Sequence, residues 1–290
     1  MSAVVDNREH ISVGVPPAAP SGWEAWSTGL NRPEAVAVGL DGVAFAGGAA
    51  GELYRIERDA TSSVVAETGG WLLGLAIDGS GRVYACDCGL RQILRIDPMT
   101  GSVAVYSEST DAGDWHVPNY CAFFENGDLL VSDSEGHNGG PGRLLIVPAG
   151  GGIARSIDLP PLQYPNGVAF DGDDIIAVET HAQRVIRIAN GELTTVAELV
   201  GCYPDGVALA DDGRLLVSSF QPNVIHVIGH GGDVEVLASD PSGLFMLSPT
   251  NIAFDPLVPG RILVASLLGW GVGALTVRIL GRPLNYPELP

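Results

Sequence analysis

Four oxygen-bearing side chains recur in one sequence setting: Pro33-Glu34, Pro118-Asn119, Pro165-Asn166-Gly167 and Pro204-Asp205-Gly206. The fullest copies are Tyr164-Pro165-Asn166-Gly167-Val168-Ala169-Phe170 and Tyr203-Pro204-Asp205-Gly206-Val207-Ala208-Leu209, and weaker ones are Leu73-Gly74-Leu75-Ala76-Ile77 and Pro249-Thr250-Asn251-Ile252-Ala253-Phe254. Read in order, the recurring slot holds Glu34, Gly74, Asn119, Asn166, Asp205 and Thr250, with Asn251 beside the last. Two carboxylates and two carboxamides brought together form an all-oxygen set. Two carboxylates ~5 Å apart repel by about 3 kcal/mol at an effective dielectric of 20, so a shared proton or a bound cation must offset the charge. With no His or Cys in the slot, hard oxygen donors suit Ca²⁺ before Zn²⁺. Ca²⁺ takes roughly 6–8 oxygens, leaving places for water or substrate. Mg²⁺, Mn²⁺ and Zn²⁺ stay open as alternatives. A single Asn or Asp after Pro is an ordinary turn former; the argument lies in the recurrence.

Something must carry these residues to one place. The copies recur at intervals of about 39 to 47 residues, a period that marks a repeat architecture. Within each unit an apolar strand follows the slot, and then a hairpin turn: Asp41-Gly42, Asp78-Gly79, Asn126-Gly127, Asp171-Gly172 or Asp212-Gly213. Second and third strands follow, such as Arg214-Leu215-Leu216-Val217-Ser218 and Arg184-Val185-Ile186-Arg187-Ile188, and then an outer one such as Thr195-Val196-Ala197-Glu198-Leu199. The expected fold is all-β, a six-bladed β-propeller with four antiparallel strands per blade. The third strand of the last unit is expected at Ala274–Ile279 with no fourth after it, and the orphan strand at Trp23–Ser27 supplies that fourth strand. The last blade is thereby closed by the N-terminal strand, leaving no free edge. Trp23 and Trp26 pack that closure. The expected organisation is an N-terminal arm over 1–21 and the propeller over 22–290.

Composition agrees with this. Apolar residues make up 46% and charged residues 17%, enough for a sizeable core. The net charge is −19, and every basic residue is Arg or His. Such a surface repels phosphate backbones, which argues against nucleic acid and for a small-molecule substrate. Cys86, Cys88, Cys121 and Cys202 have neither zinc-ribbon nor disulfide-framework spacing and read as free thiols in a reducing compartment. No apolar run approaches the ~18 residues of a membrane span, and Met1–Pro20 lacks the apolar run of a signal peptide. The expectation is a cytoplasmic protein with no membrane partner; its oligomeric state is not readable.

The slot segments resemble the metal-binding segments of the gluconolactonase/senescence-marker-protein family of six-bladed propellers, whose layout calcium-dependent lactonases and organophosphate hydrolases share. The resemblance spans about residues 22–280. It implies that Glu34, Asn166 and Asp205 ligate a divalent metal, and that Asn119 is a fourth ligand or a contact to substrate and metal-bound water. It also implies that Asp205 is the general base of a lactonase or esterase. Two departures stand out: Val117 occupies a position where gluconolactonases tend to carry Arg for sugar hydroxyls, and Asn119-Tyr120 stands where Asn-Asp is expected. A more apolar lactone or ester fits better than a sugar acid lactone. Val178-Glu179-Thr180 through Arg184-Val185-Ile186-Arg187, followed by Gly201-Cys202-Tyr203-Pro204-Asp205, is similar to the strictosidine-synthase-like branch. A lyase, isomerase or condensing enzyme is therefore the alternative reading, and a non-enzymatic binding propeller the third.

The loops beside the slots offer further candidates. Trp115, His116, Tyr120, Tyr164, Tyr203, Phe220 and Trp270 could form an aromatic wall, with Tyr120, Tyr164, Tyr203 and Trp270 as substrate contacts. His137, in the glycine-rich segment from Asp133 to Gly142, and His181 join them as substrate contacts. His116, three residues before Asn119, is weighed as catalytic. His10, His226 and His230 read as surface or blade-edge residues, and Glu179 is either a structural acid or a catalytic one.

Overall fold

The computed structural model describes residues 18–134 and 141–289, so most of the expected arm and His137 lie outside the described residues. Every named element is a strand, and the strands form six four-stranded antiparallel sheets. The inner strands of blades 1 to 6 are Ala35–Val38, Leu72–Ile77, Val117–Phe123, Pro165–Asp171, Tyr203–Leu209 and Pro249–Phe254. Each sheet runs from its inner strand outward in chain order except the last. Blade 6 is completed by Trp23–Thr28 pairing with Gly271–Thr276, so strands from near both ends share one sheet and close the ring. The third strand of that blade begins at Gly271, three residues before the expected Ala274.

Burial falls from the axis outward, as the strand sequences require. Leu72–Ile77 is buried at every position, while the outer strand Ser62–Glu67 buries only Ala66. An inner strand has a blade on each face, so its apolar residues run on without alternation. The cores lie in the seams between blades. Ala37 and Phe45 of blade 1 pack with Leu75 and Val83 of blade 2, and five similar clusters fill the remaining seams. Trp26 packs in the seam between blades 6 and 1 and Trp23 in the seam between blades 5 and 6, as expected of closure residues.

The hairpin turns follow their glycines in four blades, where Gly42, Gly127, Gly172 and Gly213 have positive φ. In blade 2 it is Gly81 that takes the left-handed conformation (φ 82°), because Gly81, donating to Asp78 O as Gly42 does to Gly39 O, holds the equivalent turn position, while Gly79 donates its N–H to Pro287 O.

That contact belongs to a strap no repeat anticipates. After blade 6, residues 280–289 run beneath the ring along the far ends of the inner strands. Asp211 N–H donates to Leu280 O at 2.8 Å, Arg282 pairs with Asp171, and Asn285 donates to Phe123 O at 2.9 Å. The Tyr286 hydroxyl donates to Val38 O at 2.7 Å, and Arg82 donates to Leu289 O at 2.5 Å. Blades 5, 4, 3, 1 and 2 are thus tied to the segment leaving blade 6. Burial pushes the Tyr286 hydroxyl up to about 12, so it keeps its proton and remains a donor. Tyr286→Phe should lower the unfolding free energy by about 1 kcal/mol, the value of one such bond. Urea melts will read this, and an unchanged midpoint would show that the strap contributes nothing to closure.

Candidate functional site

In blades 2 to 6 the slot residues lie at a break in strand register, whereas Glu34 of blade 1 directly precedes the regular ladder of Ala35–Val38. Pairing shifts between Leu72 and Leu75, Pro118 and Tyr120, Pro165 and Val168, Pro204 and Val207, and Pro249 and Ile252. Proline has no N–H for the ladder, and a bulge re-aims the residue that follows. The bulges also settle the alignment of the weak copies. In blade 2 Leu73 fills the slot and Gly74 matches Gly206, contrary to the expectation that Gly74 is the slot residue. The glycines sit where neighbouring inner strands nearly touch: a Cβ on Gly167 would lie 2.5 Å from Asp205 O, and one on Gly206 would lie 2.6 Å from Thr250 O.

Asn119, Asn166, Asp205 and Asn251 are all buried. Burial pushes the Glu34 carboxyl up to about 8, and the charge of Asp205 adds to the shift. Arg32 and the Trp71 indole pull it partway back, and Arg32 stacks over the Trp71 ring at 5.5 Å. Burial pushes Asp205 up to about 7, and the side-chain amides of Asn166 and Asn251 beside it pull it partway back. Asn251, more than Thr250, therefore completes the site, since the Thr250 hydroxyl is spent on Glu34 O at 2.8 Å. Glu34 and Asp205 form no ion pair among the described residues.

These residues fit a cation. Glu34 Oε2 and Asn166 Oδ1 are buried with no hydrogen-bond partner among the described residues, and a buried oxygen without a partner is costly. Both carboxyls hold protons into the neutral range because burial disfavours their charged forms. No group of three or more His, Cys, Asp and Glu suited to a metal occurs among the described residues, so a cation here would also draw on the amide oxygens of Asn119 and Asn166. The half-buried Cys88 thiol, pushed up to about 12 by burial and by Glu34, stays protonated and is no nucleophile at neutral pH.

The entry to each slot is held by an acid in blades 2, 3 and 4. Asp87, Asp133 and Glu179 are fully buried and lie opposite Leu72, Pro118 and Pro165. Asp87 accepts from Trp71 N, Asp133 from His116 N and Val117 N, and Glu179 from Gln163 N at 2.7 Å. Arg143 pairs with Asp133 and Arg184 with Glu179. Both Glu179 oxygens are in use, one accepting from Gln163 N and the other from Arg184.

The aromatic wall is only partly realised. Trp115 is a core residue with no exposure, and Tyr120 is buried with its hydroxyl held well above the usual range by burial. Tyr164 lies against His181 with ring centroids 4.7 Å apart, and Tyr203 stacks on Phe220 at 5.6 Å. Tyr203 is 37% exposed and Trp270 65%. His116 is half-buried, its backbone fixed by Asp133. His226 is buried, which corrects its reading as a surface or blade-edge residue. The four cysteines are free, two buried and two half-buried. Surface grooves of 370 and 330 Å³ lie elsewhere, and neither contains a slot residue.

No family model and no curated protein matches the sequence. Solved structures do. Regucalcin, a calcium-binding protein of Agrobacterium tumefaciens, aligns with TM-score 0.76 at 16% identity over 94% of this chain and 98% of its own. A gluconolactonase of Xanthomonas campestris aligns with TM-score 0.75 at 18% identity over 88% of this chain and 89% of its own. The chain has their fold. Virginiamycin B lyase of Staphylococcus aureus shares it too, with TM-score 0.65 and 17% identity over 88% of this chain and 99% of its own. At these identities the likeness establishes the propeller alone. No helix of the described residues is long and apolar enough to cross a membrane.

The raised carboxyls set a pH dependence for chelated protein. The folded state keeps protons on Glu34 and Asp205 up to about 8 and 7, whereas the unfolded chain releases them near the ordinary carboxyl values of 4.5 and 3.8. Their stabilising contribution is complete below the unfolded values and is lost as pH rises through the folded ones. The melting temperature of chelated protein should therefore fall between about pH 4 and 8, and less so in Asp205→Asn. Equal slopes for the two proteins would refute the shift.

Proposed function

We propose that the chain is a divalent-cation-dependent hydrolase of the lactonase or esterase type, acting in the cytoplasm on a small, fairly apolar lactone or ester. The observation that carries this reading is the half-buried Glu34 set against the buried Asp205, two raised carboxyls with no basic partner bonded to either and an orphaned Asn166 oxygen nearby. Glu34, Asn166 and Asp205 would hold the ion, with Asn119 as a fourth donor or a substrate contact. Ca²⁺ is the favoured ion on donor chemistry, and the calcium-binding name of the regucalcin neighbour supports it. When bound, such a cation supplies Lewis acidity, polarising a substrate carbonyl and offsetting the charge that grows on its oxygen.

The chain's own residues do the rest. Asp205 accepts the proton of the attacking water, with Asn166 and Asn251 fixing the carboxylate that receives it. His116, beside the Asn119 segment, tunes rate or selectivity. Val117 leaves sugar hydroxyls without a guanidinium partner. The exposed Tyr203, Leu244, Leu268 and Trp270, all in or next to loops joining strands at the slot end, favour an apolar substrate body. Tyr164 and His181 pair beside the same mouth.

A second reading keeps the site and changes the reaction. The virginiamycin B lyase neighbour shows that the fold serves a lyase as well, and a carboxylate that takes a proton from water can take one from carbon.

Elemental analysis of purified protein, with lactone and aryl-ester hydrolysis assayed before and after chelation, tests the proposal. Stoichiometric calcium and chelator-sensitive hydrolysis are expected. Asp205→Asn should lose both, with hydrolysis down by at least about a hundredfold, while remaining folded. Bound metal without hydrolysis favours the lyase reading. Wild-type turnover in Asp205→Asn contradicts the site itself.

A further inference from the structure

A carboxylate has two equivalent ends, but an amide has a right one and a wrong one. We infer that Ser134 and Thr180 are positioning residues that turn the side-chain oxygens of Asn119 and Asn166 toward the ion site; the inference rests on the cation reading above. The two hydroxyls occupy the same place in neighbouring blades, each the first residue beyond the buried acid, Asp133 or Glu179, that lies opposite the slot proline. Each makes the same two bonds. Ser134 Oγ donates to Pro165 O at 2.7 Å, and Thr180 Oγ1 donates to Pro204 O at 2.7 Å. A hydroxyl has one hydrogen, and with that hydrogen committed to the next blade its oxygen can only accept. Asn119 Nδ2 donates to Ser134 Oγ at 3.1 Å, and Asn166 Nδ2 to Thr180 Oγ1 at 3.4 Å. A flipped amide would set oxygen against oxygen. The nitrogen end is therefore held at the hydroxyl and the oxygen end turns away from it. The Asn166 Oδ1 is left buried without a partner among the described residues, as an unfilled ligand would be.

The distribution of the device supports its purpose. The equivalent places in blades 2, 5 and 6 hold Cys88, Phe220 and Leu267, and the slots there hold Leu73, Asp205 and Thr250. A hydroxyl stands behind the slot where the slot is an amide, and none stands behind the symmetric carboxylate of Asp205. Each hydroxyl also donates to the carbonyl immediately before the next slot residue. Asn119, Ser134, Pro165, Asn166, Thr180, Pro204 and Asp205 thus form one relay through three successive ligand positions. Partners that orient ligands in this way typically account for 10–100-fold in metal affinity.

Calcium titration of the chelated full-length protein by calorimetry tests this, alongside thermal melts in chelator. Thr180→Val keeps the shape and removes the hydroxyl; it should weaken calcium binding about 10–100-fold, and Thr180→Ser should restore it. If Thr180→Val does not fold, Ser134→Ala asks the same question at Asn119, with Ser134→Thr as the restoring variant. A lower melting temperature with an unchanged calcium dissociation constant would mean a purely structural role and overturn the inference. Wild-type protein that binds no calcium would overturn the cation reading, and this inference with it.

Discussion

Everything at the axis follows from how closely the inner strands approach one another. A Cβ on Gly74 would sit 2.4 Å from Asn119 O, and one on Gly167 2.5 Å from Asp205 O, so the chain passes its neighbour with backbone alone. The ladder is interrupted at the same points, and the bulge frees the preceding residue to face the centre. The same contact that closes the ring therefore delivers the slot side chains. Closure and site are one packing problem, which is why the oxygen set lies deep and why its carboxyls are so far from their ordinary values.

The supports around that centre divide by task. Buried acids in blades 2 to 4 collect the backbone N–H groups that lead into the slots, replacing ladder bonds that the register break removes. Hydroxyls one residue further on hold the amides and reach across to the next blade. At the opposite end the strap fastens five blades to the sixth. The site is thus set in a ring braced at both ends, a rigid frame of the kind a preorganised cation or transition-state site needs.

Much of this was legible in the residues. Repetition of Pro-Asn-Gly and Pro-Asp-Gly gave the period, and the orphan strand around Trp23 gave the closure. Register was not legible, because a bulge inserts a residue without changing the local pattern; hence Gly74 was set in a slot that belongs to Leu73. Trp115 and Tyr120 look like mouth aromatics in sequence, and only packing shows that they fill a seam. The strap has no period at all, being held by single bonds to strand ends. Ser134 and Thr180 did leave a trace, an acid followed by a hydroxyl at the end of each second strand. Its meaning depends on the neighbouring blade, which no local reading supplies.

The central claim is that the oxygen set on the axis holds a divalent ion. Anomalous scattering from crystals grown with calcium tests it most directly. The account predicts a calcium peak in contact with Glu34, Asn166 and Asp205, and loss of that peak in Asp205→Asn crystals. A calcium peak elsewhere on the protein, or ordered Glu34 and Asp205 bonded to each other through a proton in calcium-replete crystals, would contradict it.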